Sequence, residues 1–180
     1  MSSPPRPWPW FLALSLPLFV LDQITKSIIV ARFADPRIAP VEFVPVIDGF
    51  FNIVRVHNTG VAFGMFNGTA WANVFFTVVA STALVFITVL WYKGTFPTRV
   101  GKIAAALLVS GVIGNLTDRL FRGYVVDFLD FILPFYDKID TRSGGHFPSF
   151  NVADSCITVA AVFLFISAFQ KQPQPEADAS

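Results

Sequence analysis

The chain has 180 residues, 54% of them hydrophobic and 16% aromatic, with a net charge of +1 and a mean hydropathy of +0.61. Its 13 basic and 12 acidic side chains compare with roughly 45 charges in a soluble chain of this length, too few to cover a water-facing surface. A disordered chain, a disulfide scaffold (Cys156 is the single cysteine) and a basic nucleic-acid binder are excluded, which leaves an integral membrane protein of one compact unit.

The first apolar stretch, about 10–30, carries Asp22 and Lys26 in its second half and Pro17 in its middle. Arg6 before an apolar run imitates a signal peptide, but no small-residue cleavage site follows, so the segment reads as a retained span bent at Pro17. The long loop after it, about 31–70, contains VEFVPVI and FFNIVRV on either side of Asp48-Gly49, the pattern of a small sheet or hairpin lying on the membrane surface. The following NTGVAFGMF is apolar but too short to span, and predicts a re-entrant or interfacial helix.

Residues 72–92 are free of charge and cross the roughly 30 Å hydrocarbon core as a second span. Lys93, Arg99 and Lys102 occupy the short connector to a third span, about 102–120, which ends in Asn115, Asp118 and Arg119. A fourth, about 151–169, opens with Asn151 and Asp154. The four tryptophans, at 8, 10, 71 and 91, mark span ends as interfacial aromatics do. Residues 1–170 thus form one membrane domain, and the polar tail KQPQPEADAS (171–180) is expected to be disordered.

The basic connector places its side in the cytoplasm. Four spans then put both termini there and turn both long loops outward. With that orientation Asp22 and Lys26, the group Asn115, Asp118 and Arg119, and the pair Asn151 and Asp154 all lie near the outer face, though they come from distant parts of the chain. Charges also mark simple helix exits, and Lys26 and Arg119 fit that explanation by snorkelling. Short carboxylates fit it less well. Asp22 and Lys26 are spaced i,i+4 and pair on one helix face; Asn151 and Asp154 are spaced as an N-cap and its N3 partner.

Asp127, in GYVVDFLDF just past the third span, is surrounded by apolar residues that disfavour its charged form. If it meets Asp154, the two share a proton as the aspartic-protease pair does. Metal-ligand spacing around His57 and His146, a G-x-S-x-G elbow and a reactive setting for Cys156 are all missing, so neither metal nor cofactor is expected. Buried carboxylates also serve carriers and proton-coupled channels, although no inverted repeat of the transporter kind is visible.

Four blocks, LDQITK, FFNIVRVHNTGVAFGMF, GNLTDRLFRGYVVDFLDF and HFPSFNVADSCI, resemble the lipoprotein signal peptidases (signal peptidase II) of the bacterial inner membrane, in the family's order over about residues 20–160. The resemblance implies an all-α membrane fold of four transmembrane helices with a small extracytoplasmic β-cradle and a short periplasmic interfacial helix. It implies catalysis by Asp127 and Asp154, with Asn115, Asp118, Arg119 and Asn151 shaping the site, Asn58 facing substrate, and Asp22 and Lys26 supporting the architecture. The implied substrate is a diacylglyceryl-modified prolipoprotein, cut just before its lipidated cysteine by a monomer that also contacts membrane lipids. Two features depart from the family pattern: a longer, more charged LPFYDKIDTRSGG between the catalytic motifs, and Val61 where alanine is common.

Overall fold

The computed structural model describes residues 8–60, 71–141 and 143–170, with side chains from Phe11 onward. Of the re-entrant or interfacial helix expected at NTGVAFGMF, only Asn58, at the end of a strand, Thr59 and Gly60 are described; the rest of it, Val61 included, the 171–180 tail and the side chains of Trp8 and Trp10 lie outside the described residues. In chain order the elements are α1 (Trp8–Arg32), β1 (Phe43–Ile47), β2 (Phe51–Asn58), α2 (Ala72–Tyr92), α3 (Arg99–Phe121), β3 (Val125–Phe131), a single 3-10 turn (Tyr136–Lys138) and α4 (Val152–Ala168).

Three helices are long and apolar enough to cross a bilayer: Phe11–Arg32, Ala72–Tyr92 and Arg99–Phe121. The fourth apolar helix, α4, has 17 residues, about 25 Å at 1.5 Å per residue. Helix α1 runs without interruption through Pro17. Trp71 and Trp91 stand at the two ends of α2 as expected.

Helix α3 is the centre of the bundle, with α1, α2 and α4 all packed against it. About half of α3 is buried, whereas α2 is almost wholly unburied and most of its valines and phenylalanines face outward. Small residues permit this crowding. A β-carbon on Gly111 would overlap the Ala153 carbonyl oxygen, and one on Gly114 would come within 2.7 Å of Asp22 Oδ2. The two glycines therefore bring α3 against α4 and α1 closely enough for short polar side chains to meet.

The ends of the helices are cut by local chemistry. Thr98 caps α3, its hydroxyl accepting from the Gly101 N–H at 3.0 Å. At the other end Gly123, with φ +79°, takes the left-handed conformation that releases the chain from α3 toward β3. Asn151 and Asp154 form a reciprocal capping box at the start of α4.

The sheet is antiparallel with order β1-β2-β3. β1 and β2 form the expected hairpin around Asp48-Gly49, where the Phe50 N–H donates to the Ile47 carbonyl at 3.0 Å. The third strand is VVDFLDF, a segment read from sequence only as an apolar surround for Asp127. Its hydrophobic run is bounded by Gly123 and pairs with β2, placing Val56 opposite Asp127 and Asn58 opposite Val125. Val126 and Phe128 pack with Ile29 into the core that seats the sheet on α1.

Candidate active site

Asp127 lies in the middle of β3 and is 2% exposed. Its Oδ2 accepts from Asn58 Nδ2 at 3.0 Å, a diagonal cross-strand contact set by the β2–β3 register, and its Oδ1 accepts from Asn151 Nδ2 at 2.8 Å. Asp154 sits in the first turn of α4. Its Oδ1 accepts from Asn115 Nδ2 at 2.7 Å and its Oδ2 from the Asn151 backbone N–H at 3.2 Å. One residue, Asn151, thus touches both carboxylates, with its side chain on Asp127 and its backbone on Asp154.

The capping role of Asn151 and this bridging role coexist, because they use different atoms. The Asn151 carbonyl Oδ1 accepts the Asp154 N–H at 2.9 Å, which leaves the amide nitrogen free to donate to Asp127 and to Asn115 Oδ1. The side chains that donate to Asp127 are both neutral amides, and burial together with the neighbouring Asp154 charge pushes its carboxyl up to about 8 despite them. Two carboxylates in this setting retain a proton near neutral pH.

Beneath the carboxylates lies a fully buried charged cluster. Lys26 Nζ donates to Asn115 Oδ1 at 2.9 Å and pairs with Asp22 at 2.9 Å and Asp118 at 3.2 Å, which accounts for its three protons. Lys26 is 0% exposed, so it does not snorkel. Asp22 also reaches across to α4, accepting the Ala153 N–H at 2.9 Å. Asp118 fastens β3 to α3, its Oδ2 accepting the Val126 N–H at 3.0 Å while its other oxygen pairs with Arg122.

Arg119 is turned away from this cluster toward α2. Its guanidinium lies 5.7 Å from the Phe76 ring and donates to the Gly60 carbonyl at 3.5 Å, yet it remains within electrostatic reach of Asp154, Asp127 and Asp118. All nine candidate residues therefore gather at one end of the bundle.

Several polar partners were not singled out from the sequence. Gln23 donates to Asp22 at 3.0 Å and to the Gly114 carbonyl at 3.2 Å. Arg122 joins Asp118 at an i,i+4 spacing that a helix reading could have found. Asn52 donates to Asp130 across strands at 2.9 Å, a pairing visible only once the register is known. On the flank of the sheet Arg55 donates to the carbonyls of Val30 (3.2 Å) and Phe33 (2.8 Å) at the end of α1, and to His57 Nε2 at 3.1 Å. Burial and the Arg55 charge lower His57 to about 4, and Arg37 holds Asp35 well below the carboxylate range.

Among the described residues no three His, Cys, Asp or Glu side chains converge as a metal-ligating group. An apolar cavity between α1, α2 and α3, lined by residues including Phe11, Phe19, Ile87, Trp91 and Ile113, includes none of these polar groups and has no chemistry of its own.

The family model described as Signal peptidase (SPase) II matches residues 14–170. Among curated relatives, a lipoprotein signal peptidase of Cupriavidus necator is 37% identical over 171 residues, covering 94% of this chain and 87% of that one. One from Desulforapulum autotrophicum is 40% identical over 161 residues, with 87% and 90% coverage. A bacterial membrane enzyme solved by the in meso method at 2.3 Å superposes with a TM-score of 0.73 at 27% identity, covering 93% of this chain and 94% of that one.

Proposed function

The chain belongs to the signal peptidase II family, and from that premise we propose that Asp127 and Asp154 hydrolyse diacylglyceryl-modified prolipoproteins just before the lipidated cysteine. The observation that carries the reading is the single asparagine, Asn151, holding one carboxylate from β3 and one from α4. A pair that keeps one proton at neutral pH has both a base and an acid ready. The charged carboxylate takes a proton from water as the oxygen attacks the scissile carbonyl carbon. The protonated one donates to the carbonyl oxygen. As the tetrahedral intermediate collapses, the carboxyl that took the water proton passes it to the amide nitrogen, the C–N bond breaks, and a hydroxyl of the intermediate gives its proton to the other carboxylate, which restores the shared-proton state.

The bundle supplies the depth. We take α4 as a fourth span that completes one peptidase domain over about residues 1–170, with Lys93, Arg99 and Lys102 facing the cytoplasm and the carboxylates near the periplasmic side of the inner membrane. A lipid-anchored substrate presents its cut site at the outer headgroup level, the depth of the α3 and α4 ends. In this reading Asn58, which donates to Asp127 from β2, and Arg119, on the α2 side, orient the substrate backbone. One chain provides every group, so the active unit is a monomer in contact with lipid.

The test is cleavage by purified protein of a lipidated and an unlipidated prolipoprotein. The lipidated substrate alone should be shortened, and Asp127→Asn and Asp154→Asn should each abolish the product while remaining folded. Processing by either variant at a substantial rate would refute the pair, and no product from the native protein would refute the peptidase reading.

A further inference from the structure

Residues 145–150 run antiparallel to 128–133 and extend the sheet beyond β3. Phe150 exchanges backbone hydrogen bonds with Leu129 at 2.9 and 3.1 Å, Phe147 N–H donates to the Phe131 carbonyl at 2.8 Å, and Leu133 N–H donates to Gly145 at 2.7 Å. These bonds carry no register information, because a backbone ladder looks the same after a two-residue slip. Side chains must select the register. Apart from the Phe131–Phe150 ring stack at 5.8 Å, the specific contact is polar: His146 Nδ1 lies 2.9 Å from both oxygens of Asp130.

Asp130 is 4% exposed and also accepts from Asn52 Nδ2 at 2.9 Å. One buried carboxylate therefore joins three segments of the chain. β2 carries Asn52 and, further along, Asn58, the Oδ2 partner of Asp127. β3 carries Asp130 and Asp127 itself. The 145–150 segment carries His146 and leads directly into Asn151, which bridges the two aspartates.

We propose that Asp130, locked by Asn52 and His146, is a positioning residue for the hydrolytic reaction that fixes the mutual register of the three strand segments supplying Asn58, Asp127 and the Asn151 bridge. The inference rests on the peptidase reading above and extends it to three residues that touch neither substrate nor reacting atoms. The carboxylate only accepts, so Nδ1 carries a proton and the contact holds whether the imidazole is neutral or charged. The contact lies at the base of the 133–145 connection, the stretch expected to depart from the family pattern. Loss of the lock frees the segment to shift against β3, so that Asn151 no longer holds both aspartates at one separation.

The experiment compares the native full-length protein with His146→Ala, His146→Asn, Asp130→Ala and the His146→Ala/Asp130→Ala double variant, using a diacylglyceryl-modified prolipoprotein across pH. His146→Ala should lower kcat by about tenfold or more while KM stays within about twofold, since small displacements at a reacting centre cost rate more than binding. The two limbs of its pH profile should approach each other by about one unit, because separated carboxylates interact less. His146→Asn, whose amide nitrogen occupies the Nδ1 position, should recover both values, and the double variant should be no worse than Asp130→Ala alone. Unchanged kcat in His146→Ala, or a lower kcat with both limbs in place, would overturn the positioning role. If His146→Ala fails to fold, Asn52→Ala removes the β2 arm of the same lock and is read by the same limb separation. A native protein that leaves the lipidated substrate uncut sinks the peptidase reading instead, and the two failures are distinct.

Discussion

The raised carboxyl of Asp127 makes stability, as well as activity, depend on pH. In the unfolded chain an aspartate releases its proton near pH 4, whereas in the folded protein Asp127 retains it up to about 8. Between those values the native state binds the extra proton, so stability falls as pH rises and the favourable contribution is lost through pH 8. His57 works in the opposite sense. Its folded value of about 4 lies below the unfolded one, so it contributes stability above pH 6.5 that is lost as pH falls toward 4. The two slopes oppose each other below pH 6.5 and separate above it. From pH 6.5 to 8 the Asp127 contribution is on the order of 1–2 kcal/mol, or a fall of about 2–8 °C in melting temperature for a chain of this size. Thermal unfolding in detergent micelles at pH 6.5, 7, 7.5 and 8 measures it. Asp127→Asn should lose most of this slope. Its absolute stability is a poorer readout, because the amide sets a donor against Asn58 or Asn151. A native melting temperature that is level or rises over this window, or an equal fall in Asp127→Asn, would refute the reasoning.

Lys26→Met should destabilise the protein by about 3–5 kcal/mol, since it leaves Asp22 buried without its cation and Asp118 with Arg122 alone; denaturant titration followed by tryptophan fluorescence measures the loss. Substitution of both Asp22 and Lys26 by residues of matched volume should cost less than Lys26→Met alone, as the orphaned Asp22 charge goes with its partner. Gly111→Ala should cost about 1–3 kcal/mol or more by overpacking α3 against Ala153 and Ile157, and its melting temperature should fall accordingly. Asn115→Leu removes the donor to Asp154 and the acceptor for Lys26, so cleavage of the lipidated substrate should drop by at least about a hundredfold; activity within twofold of native would exclude Asn115 from the site.

How far the site could be read in advance depends on the range of each interaction. Asp22–Lys26 and the Asn151–Asp154 capping box are local, fixed by helical spacings of four and three residues, and both were legible. The hairpin at Asp48-Gly49 was legible for the same reason, since its turn chemistry lies within four residues. The third strand was missed because seven mostly apolar residues next to a span have no periodicity that distinguishes strand from interfacial coil. Asn52–Asp130 and Asp130–His146 were missed because they depend on strand register across 78 and 16 residues.

By itself, the sequence determined the solvent, the approximate spans and the types of side chain held near one face of the bilayer. Few charges in a long apolar chain must be either expelled to the interface or paired, and that constraint is compositional. Only the tertiary structure decided which of them pair. Gly111 and Gly114 set how closely α3 approaches its neighbours, so that Lys26 meets three acceptors from two helices. The pairing of β3 with β2 turns Asp127 toward Asn58 and Asn151. A hydrogen bond forms over about 3 Å, and no spacing along the chain fixes a distance that short between residues separated by a loop.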